Sequence, residues 1–349
     1  MAFFKFIGSR VVGMSCCVPT HVEPTISTST AYNREAYMAT TGILEKRWSQ
    51  EFTASDLCQS AVLKLLEELN WDEESVDVLI FVSQTPDYIL PATSCVLHGK
   101  LGLRKECVCQ DISLGCSGWV YGMMNALSIL QSGTNLKRAI VLSGDARKSA
   151  PEEIDHLFGY AGTATAIEYN PEYSEPIFIE LGTDGTGYDA IIRPEGGTRN
   201  PINDKTFELV ACEDGRKRHG MQTRMKGMDV FAFGITTAPK SIKKLSKEAG
   251  IDYQEYDYFV FHQANRKMNE TIRTKLKLDE NKVPYSMTYF GNTSSASIPL
   301  TIVTQLQSAL QHNTAKIIGC GFGVGLSWGS IAFESKNMVI PNLIEVGNA

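Results

Sequence analysis

The chain has 349 residues, of which 43% are hydrophobic and 21% are charged, and its formal net charge is −6. This length fits one large or two fused domains, and a negative net charge gives no reason to expect nucleic acid as a partner. No apolar run approaches the roughly 20 residues of a membrane span, and the N-terminus lacks the apolar core of a signal peptide, so we expect a cytoplasmic protein.

Apolar strand patterns alternate with helical patterns along the chain, which predicts an α/β architecture. The predicted strands are 78–82, 139–143, 259–261 and 317–319, and the predicted helices are 54–69, 118–130, 235–247 and 269–277. The segment Asp77–Phe81, followed by Lys100–Leu103, recurs as Asp257–Phe261, followed by Lys275–Leu278. This weak repeat predicts two halves of similar βαβ build, and a glycine-rich loop at 194–201 divides them.

Nine cysteines are scattered along the chain, without a CxxC pair or a Cys/His cluster of zinc spacing, so we expect no metal site. One cysteine stands out. Cys116, in Asp111–Trp119, has small residues on both sides and precedes a long apolar helix pattern. This predicts a tight turn at a helix N-terminus, where backbone N–H groups lower the pKa of a thiol. For any single cysteine, however, an inert buried thiol is the better expectation.

Three later segments also carry residues suited to chemistry. His262 follows an apolar strand, at the end of a strand where α/β sheets form their sites. Asn292 lies within a run of small polar residues, 289–297, that is typical of a loop entering a helix. The segment 319–325 has four glycines in seven positions, too many for a strand interior unless something approaches its backbone closely.

In this order, the four segments resemble the signatures of the β-ketoacyl-acyl-carrier-protein synthase III family. The family shows a cysteine in a small-residue turn, then HQAN, then GNTSAAS, then a glycine-rich loop ending in Trp-Gly. The matching segments here are Cys116, 262–265, 291–297 and 321–329, and two lesser matches are Thr41-Gly42-Ile43 with Arg47 and Phe158-Gly159 with Ala161-Gly162. The resemblance implies a thiolase-like, five-layered αβαβα fold of two similar halves, with Cys116 in 1–190 and His262 and Asn292 in 200–349.

The resemblance also implies a mechanism. The Cys116 thiolate takes an acyl group from a thioester, and the backbone N–H groups of Cys116 and of Val324 or Gly325 hold the oxyanion. His262 and Asn292 then bind the carbonyl of a malonyl thioester and stabilise the enolate as CO₂ leaves. The carbanion attacks the acyl-enzyme and gives a β-ketoacyl product, as in fatty-acid or specialised acyl biosynthesis. Cys320 is expected to be a packed thiol.

The family forms homodimers and docks an acidic acyl carrier protein, and its substrates arrive as CoA or phosphopantetheine thioesters without a permanent cofactor. From Arg216 to Lys277 the chain has 14 Lys/Arg and 6 Asp/Glu, which suits such docking or, equally, a solvated lysine-rich face. The carrier-protein and pantetheine candidates are Asn265, Arg266, Lys267, Arg273, Lys275 and Arg147. Leu90 is the candidate that enters the acyl pocket of the partner subunit, and an ordinary packed loop is the alternative.

The chain departs from the family pattern at several positions. Ala36 and Thr40 stand where primer-loading members have a tryptophan and an arginine that clasp CoA, which favours an acyl donor on a carrier protein. Tyr160 replaces an acidic residue, and Val324 replaces a glycine, which requires a negative φ there. Two other functions stay open: an acyltransferase that moves the acyl group to an alcohol or amine, and a non-catalytic subunit of a heterodimer.

Overall fold

The computed structural model describes residues 2–24, 34–148, 157–212 and 215–347. The helices are α1 (Arg34–Thr41), α2 (Ala54–Leu69), α3 (Thr93–Leu101), α4 (Gly118–Ser132), α5 (Gly227–Ala249), α6 (Arg266–Leu276), α7 (Met287–Phe290) and α8 (Ser297–Gln311). The long strands are β1 (Ala2–Phe6), β2 (Ser9–Pro19), β5 (Val78–Val82), β6 (Val108–Ile112), β7 (Arg138–Asp145), β8 (Ala161–Tyr169), β9 (Ile177–Thr183), β14 (Tyr258–Phe261), β15 (Thr314–Gly323) and β16 (Ser327–Lys336). The short ones are β3 (Val22–Pro24), β4 (Glu45–Arg47), β10 (Ile191–Ile192), β11 (Val210–Ala211), β12 (Lys217–Arg218), β13 (Arg224–Met225) and β17 (Ile344–Val346).

Two mixed sheets form the centre of the molecule. The first has six strands in the order β17-β2-β8-β7-β5-β6, and the second has five in the order β1-β9-β16-β15-β14. Within them, β5 runs parallel to β6 and β7, and β14 runs parallel to β15. The four strands predicted from sequence are therefore all present, within β5, β7, β14 and β15.

Helices cover both outer faces of the sheets and fill the space between them. α2 and α3 pack on the first sheet, and α4 and α8 contact strands of both sheets. α5 packs on the second sheet, and α6 packs against α5 and shares an apolar cluster with β14 and β15. The side chains of α4 are mostly apolar because this helix lies between two sheets, where Trp119, Val120, Met123 and Leu127 are fully buried. This arrangement confirms the predicted five-layered αβαβα fold. Among the described residues, no helix is long and apolar enough to cross a membrane.

The repeat between the two halves extends to hydrogen bonds. Asp77 precedes β5, where its carboxylate accepts the backbone N–H of Lys137 and of Arg138 at the start of β7. Asp257 precedes β14, where its carboxylate accepts the N–H of Lys316 near the start of β15. In each half, an aspartate thus links the beginnings of two parallel strands, which places the carboxyl ends of these strands side by side.

The change from one sheet to the other lies ahead of the loop at 194–201. The chain passes from the first sheet to the second between Tyr169 and Ile177, ahead of the predicted break at 190–200. In addition, β1 joins the second sheet and β17 returns to the first. The loop at 194–201 instead begins a long connection from β10 to β13, and its two ends are joined by the pairing of Ile191–Ile192 with Arg224–Met225. The domains 1–190 and 200–349 stay a prediction.

Candidate active site

A pocket of about 190 Å³ lies where strands of both sheets end. It is lined by three of the residues singled out in the sequence, Cys116, His262 and Asn292. Other parts of its wall come from the ends of β7 and β15, from the loop after β5 and from the segment before β8. Each of these segments follows or precedes a buried strand, so the two sheets together fix the positions of the side chains.

Cys116 lies on the turn immediately before α4. The N–H of Gly118 donates to the carbonyl of Gly115 at 2.7 Å, which closes a tight turn, and Ser117 is the N-cap residue of the helix. Only 9% of Cys116 is exposed. The structure therefore places this thiol at a helix N-terminus, as the sequence predicted.

The glycines at the end of β15 make room for that turn. A Cβ on Gly321 would lie 2.6 Å from the carbonyl oxygen of Cys116, and a Cβ on Gly323 would lie 2.6 Å from its Cβ and 2.8 Å from its Sγ. Real Cβ atoms do not approach so closely. Most of the glycine-rich segment therefore lies within β15, and its glycines are needed because Cys116 approaches the strand backbone closely.

The surroundings of Cys116 favour the neutral thiol. Burial, and then the negative charge of Asp145, raise the pKa of Cys116 to about 12. The backbone N–H groups of Val324 and Cys116 and the hydroxyl of Ser294 hydrogen-bond the sulfur and act in the opposite direction. The sequence had indicated a lowered pKa from the helix N-terminus, but the lowering contacts are outweighed by burial and by a carboxylate that the sequence argument had not considered.

His262 follows β14 directly and is 2% exposed. Its backbone N–H donates to the carbonyl of Cys320 at 2.8 Å, and its ring Nδ1 is 2.7 Å from the hydroxyl of Ser297. The rings of His262 and Phe322 pack in a T-shaped arrangement. Burial lowers the pKa of His262 to about 3, against a weaker opposing effect of the Ser294 backbone. The imidazole is therefore neutral at physiological pH.

Asn292 is held by an isolated β-bridge to Phe158. Its N–H donates to the carbonyl of Leu157 at 2.9 Å, and its carbonyl accepts the N–H of Gly159 at 3.0 Å. Gly159 is required there, since a Cβ would lie 1.9 Å from the carbonyl oxygen of Phe290. The side-chain oxygen of Asn292 accepts the N–H of Ser294 at 2.9 Å, which orients the amide and leaves its NH₂ group as the donor for a ligand.

Of the predicted oxyanion donors, Cys116 and Val324 lie at the sulfur. Val324 lines the pocket and does not have a positive φ, so its side chain is compatible with the loop. Gly325 has a φ of 137°. It does not line the pocket that the described residues form. Cys320 is fully buried in the second sheet, and burial raises the pKa of its thiol to about 12, as expected of a packed cysteine.

The predicted binding residues fall into three places. Arg147 and Asn265 line the pocket, and the side chain of Asn265 also caps α6 by accepting the N–H of Met268. Arg266 and Lys267 are exposed on the first turn of α6, where they lie over the rings of Tyr285 and Phe231. Arg273 and Lys275 lie on the last turn of the same helix and have partners within the chain: Arg273 pairs with Glu270 at 2.7 Å, and Lys275 donates to the carbonyl of Ile235.

Leu90 does not reach the pocket of its own chain. It lies on the loop between β5 and α3, where Ile89 is 95% exposed and Leu90 is 85% exposed. The predicted CoA-clasp positions Ala36 and Thr40 are also exposed, on α1, which packs against α6. Gly42, of the Thr41-Gly42-Ile43 match, has a φ of 73° and lies against the side chain of Arg266.

Sequence reasoning missed several residues of the pocket. Asp145, at the end of β7, could have been found by the rule that singled out His262, since it follows a predicted strand. Ser294 lies within the segment that was quoted only for Asn292. No motif marks the pocket residues in and beside the paired strands β10 and β13, which are Ile191, Arg193, Thr223 and Met225. No group of three or more His, Cys, Asp or Glu in the described parts of the chain could hold a metal ion.

Comparisons with known proteins agree with the fold. The model of the 3-oxoacyl-[acyl-carrier-protein] synthase III C-terminal family matches residues 246–335. A Clostridium acetobutylicum protein named β-ketoacyl-[acyl-carrier-protein] synthase III is 31% identical over 84% of this chain and 88% of its own. One from Geobacillus kaustophilus is 28% identical over 94% and 99%. The crystal structure of a 3-oxoacyl-(acyl-carrier protein) synthase from Burkholderia xenovorans superposes with a TM-score of 0.89, at 34% identity over 99% of both chains.

Proposed function

Since the chain belongs to the β-ketoacyl-[acyl-carrier-protein] synthase III family of condensing enzymes, we propose that it joins an acyl group held on Cys116 to a malonyl thioester with loss of CO₂. The observation that carries this proposal is the convergence of Cys116, His262 and Asn292 on one pocket, with the amide of Asn292 oriented as a donor. A neutral histidine and an amide are the donors that an enolate oxygen needs.

In the first step, the sulfur of Cys116 attacks the carbonyl carbon of an acyl thioester. The N–H groups of Cys116 and Val324 are close enough to bond the sulfur, and so they are placed to hold the oxyanion that forms beside it. The carbon–sulfur bond of the donor breaks, and the donor leaves as a free thiol that carries the proton of Cys116. Because burial raises the pKa of Cys116, the resting protein holds a protonated thiol, and this proton must leave the sulfur as the carbon–sulfur bond to the acyl group forms.

In the second step, the malonyl thioester takes the place of the donor. We assign one proton of the neutral His262 ring to Nε2, since the hydroxyl of Ser297 can donate to Nδ1. Nε2 and the NH₂ group of Asn292 then donate to the thioester oxygen, which becomes an enolate oxygen as the carbon–carbon bond to CO₂ breaks. The enolate carbon attacks the acyl carbon on Cys116, and the sulfur of Cys116 leaves and regains a proton.

The partners follow from the same geometry. We assign Arg147 and Asn265 to a phosphopantetheine arm within the pocket, and Arg266 and Lys267 to the surface of an acidic carrier protein at its mouth. Arg273 and Lys275 are weaker candidates, since each already has a partner within the chain.

The exposed loop at Ile89 and Leu90 favours a homodimer in which Leu90 enters the pocket of the second copy, and β6 at the sheet edge provides a surface for pairing. Sedimentation of the purified protein at micromolar concentration is expected to give the mass of a dimer. A monomer would contradict this part of the proposal.

The reaction itself is tested in two stages. The protein is first exposed to a panel of acyl-CoA and acyl-carrier thioesters, and intact-mass spectrometry reports which acyl group is retained on Cys116. Malonyl-carrier protein is then added, and CO₂ and the β-ketoacyl product are measured. We expect one CO₂ for each acyl group consumed. Acylation without CO₂, with transfer to an added alcohol or amine, would favour the acyltransferase instead.

A further inference from the structure

Asp145 is a carboxylate in the pocket wall that neither step above uses. It ends β7 and lines the pocket together with Cys116. Burial raises its pKa, although several hydrogen bonds act to lower it. A carboxyl group buried in a reaction pocket without a role in the chemistry requires a physical account, because burying a polar group costs stability unless it is hydrogen-bonded.

The carboxylate connects two loops. One oxygen accepts the N–H of Gln84 at 2.7 Å and the hydroxyl of Ser83 at 3.1 Å, and lies 3.3 Å from the hydroxyl of Thr85. The other oxygen accepts the hydroxyl of Ser295 at 3.1 Å. The first three groups belong to the loop after β5, whereas Ser295 follows Asn292 by three residues.

The Ser295 hydroxyl is also 3.3 Å from the carbonyl of Val82, at the end of β5. The turn that carries Asn292 is therefore tied to the first sheet through Ser295, and to β5 and β7 through Asp145. Ser294 lies between Asn292 and Ser295 in the chain, and its hydroxyl hydrogen-bonds both the Asp145 carboxylate and the sulfur of Cys116. One side of this turn thus meets the carboxylate, and the same turn orients the amide that faces the substrate.

We propose that Asp145 is a positioning residue of the condensing site, which fixes the Asn292–Ser295 turn relative to Cys116 so that the amide of Asn292 meets the enolate oxygen. This proposal rests on the proposed function, because it assigns Asn292 to the second step. Its consequence is an asymmetry: loss of the carboxylate impairs condensation but not the reactivity of the thiol.

The charge of Asp145 gives that asymmetry a measurable sign. A negative charge beside a thiol opposes its ionisation, so Asp145→Asn lowers the pKa of Cys116. The other groups that face this region are His262, which is neutral, and Arg147 and Arg193, which line the same pocket. Cys58, behind Asp145, is fully buried and its thiol is neutral because burial raises its pKa. Removing the carboxylate therefore speeds alkylation of Cys116 at the pH values at which Asp145 is ionised.

The test compares three variants with the wild type. For each, alkylation of Cys116 by iodoacetamide is followed from pH 6 to pH 10 by peptide mass spectrometry, and CO₂ release from malonyl-carrier protein is measured after acylation. For Asp145→Asn we expect an alkylation profile shifted to lower pH. Below the pKa of Cys116, the alkylation rate at a given pH should rise about tenfold for each unit by which that pKa falls. Condensation should be at least about tenfold slower.

Ser295→Ala separates position from charge. It removes the hydroxyl bonds to Val82 and Asp145 and leaves the longer bond from the Ser295 N–H, at 3.4 Å, and the carboxylate itself. Condensation therefore falls while the alkylation profile stays that of the wild type. Asp77→Asn is the matched control. It removes a carboxylate, only 3% exposed, that joins the same two strands at their opposite ends, and it leaves both the Cys116 profile and the ratio of condensation to acylation unchanged.

The proposal is overturned if Asp145→Asn condenses at the wild-type rate, or if it loses alkylation and condensation in parallel, as a misfolded protein would. It is also overturned if Asp77→Asn gives the same shift in the Cys116 profile. If the wild type itself releases no CO₂, the proposed function fails, and the alkylation profiles still report whether Asp145 acts on Cys116.

Discussion

In the first half of the chain, β7 ends at Asp145, and in the second half the equivalent strand β15 ends at Gly323 and is followed by Val324. The partner strands β5 and β14 are followed by Ser83 and His262. Both halves thus bring two strand ends to the pocket, but the residues differ in kind. Ser83 bonds to Asp145, and Asp145 bonds to the turn that carries Asn292. In contrast, His262 lines the pocket, and the N–H of Val324 bonds the sulfur of Cys116.

This difference shows how one repeated βαβ build can support a two-step reaction. The first half supplies the nucleophile and a network that holds the neighbouring turns in place. In the proposed reaction, the second half supplies donors for both oxyanions: the N–H of Val324 acts together with that of Cys116 at the first, and His262 and Asn292 act at the second. The comparison therefore separates residues that hold the acyl group from residues that act on the second substrate, and each can be tested alone.

The largest expected effect comes from the nucleophile of the first half. Cys116→Ala removes the only atom that we assign to the acyl group, so intact-mass spectrometry should find no acyl adduct and no β-ketoacyl product. Cys95→Ala, at an exposed cysteine of α3, is the control and should retain the full adduct. An adduct of unchanged stoichiometry on Cys116→Ala would place the nucleophile elsewhere.

The contact between the halves can be broken at Gly323. Gly323→Ala inserts a methyl group 2.8 Å from the sulfur of Cys116, so the thiol must move. A displacement of that order is expected to slow acylation at least about 100-fold, as measured by stopped-flow release of the donor thiol. Gly99→Ala, at an exposed helix position with no atom within 4 Å of the new Cβ, should leave acylation unchanged and stabilise the fold by about 0.5–1 kcal/mol.

The surface of the second half should affect substrate delivery rather than chemistry. Lys267→Glu reverses an exposed charge on the first turn of α6, so the KM for malonyl-carrier protein should rise several-fold, on the order of 3–10, with little change in kcat. The rise should shrink as salt is added, because salt screens surface charges. Lys336→Glu, at the opposite end of the β15–β16 hairpin from Gly323, serves as the control. Equal effects of the two variants would argue against a docking site on α6.

The smallest effect is a pH dependence of stability from His262. Burial lowers its pKa from 6.5 to about 3, so its contribution to stability is complete above pH 6.5 and is lost as the pH falls toward 3. Between pH 7 and pH 5 the free energy of unfolding should fall by about 2 kcal/mol more in the wild type than in His262→Gln. Urea unfolding at both pH values measures this. Parallel slopes for the two proteins would mean that His262 is not buried as a neutral ring.

Strand patterns in the sequence were sufficient to predict four of the ten long strands, because such patterns record local structure. The layers and the three residues around the pocket followed from the resemblance of four short motifs to a known family. The sequence did not predict the raised pKa of Cys116, since that depends first on burial by distant segments and then on Asp145, 29 positions away along the chain. Nor did it place the change of sheet between Tyr169 and Ile177, because β9 pairs with β1 and β16. Such pairings join distant segments and have no local pattern.

The central claim is that Asn292, in the second half, acts only after the first half has accepted an acyl group. The most direct measurement is a single turnover of acylated protein with malonyl-carrier protein, comparing the wild type with Asn292→Ala. We expect both to form the Cys116 adduct at similar rates, and the variant to release CO₂ and discharge the adduct about 10²- to 10³-fold more slowly. A variant that discharges its adduct as fast as the wild type, with equal CO₂, would contradict the account.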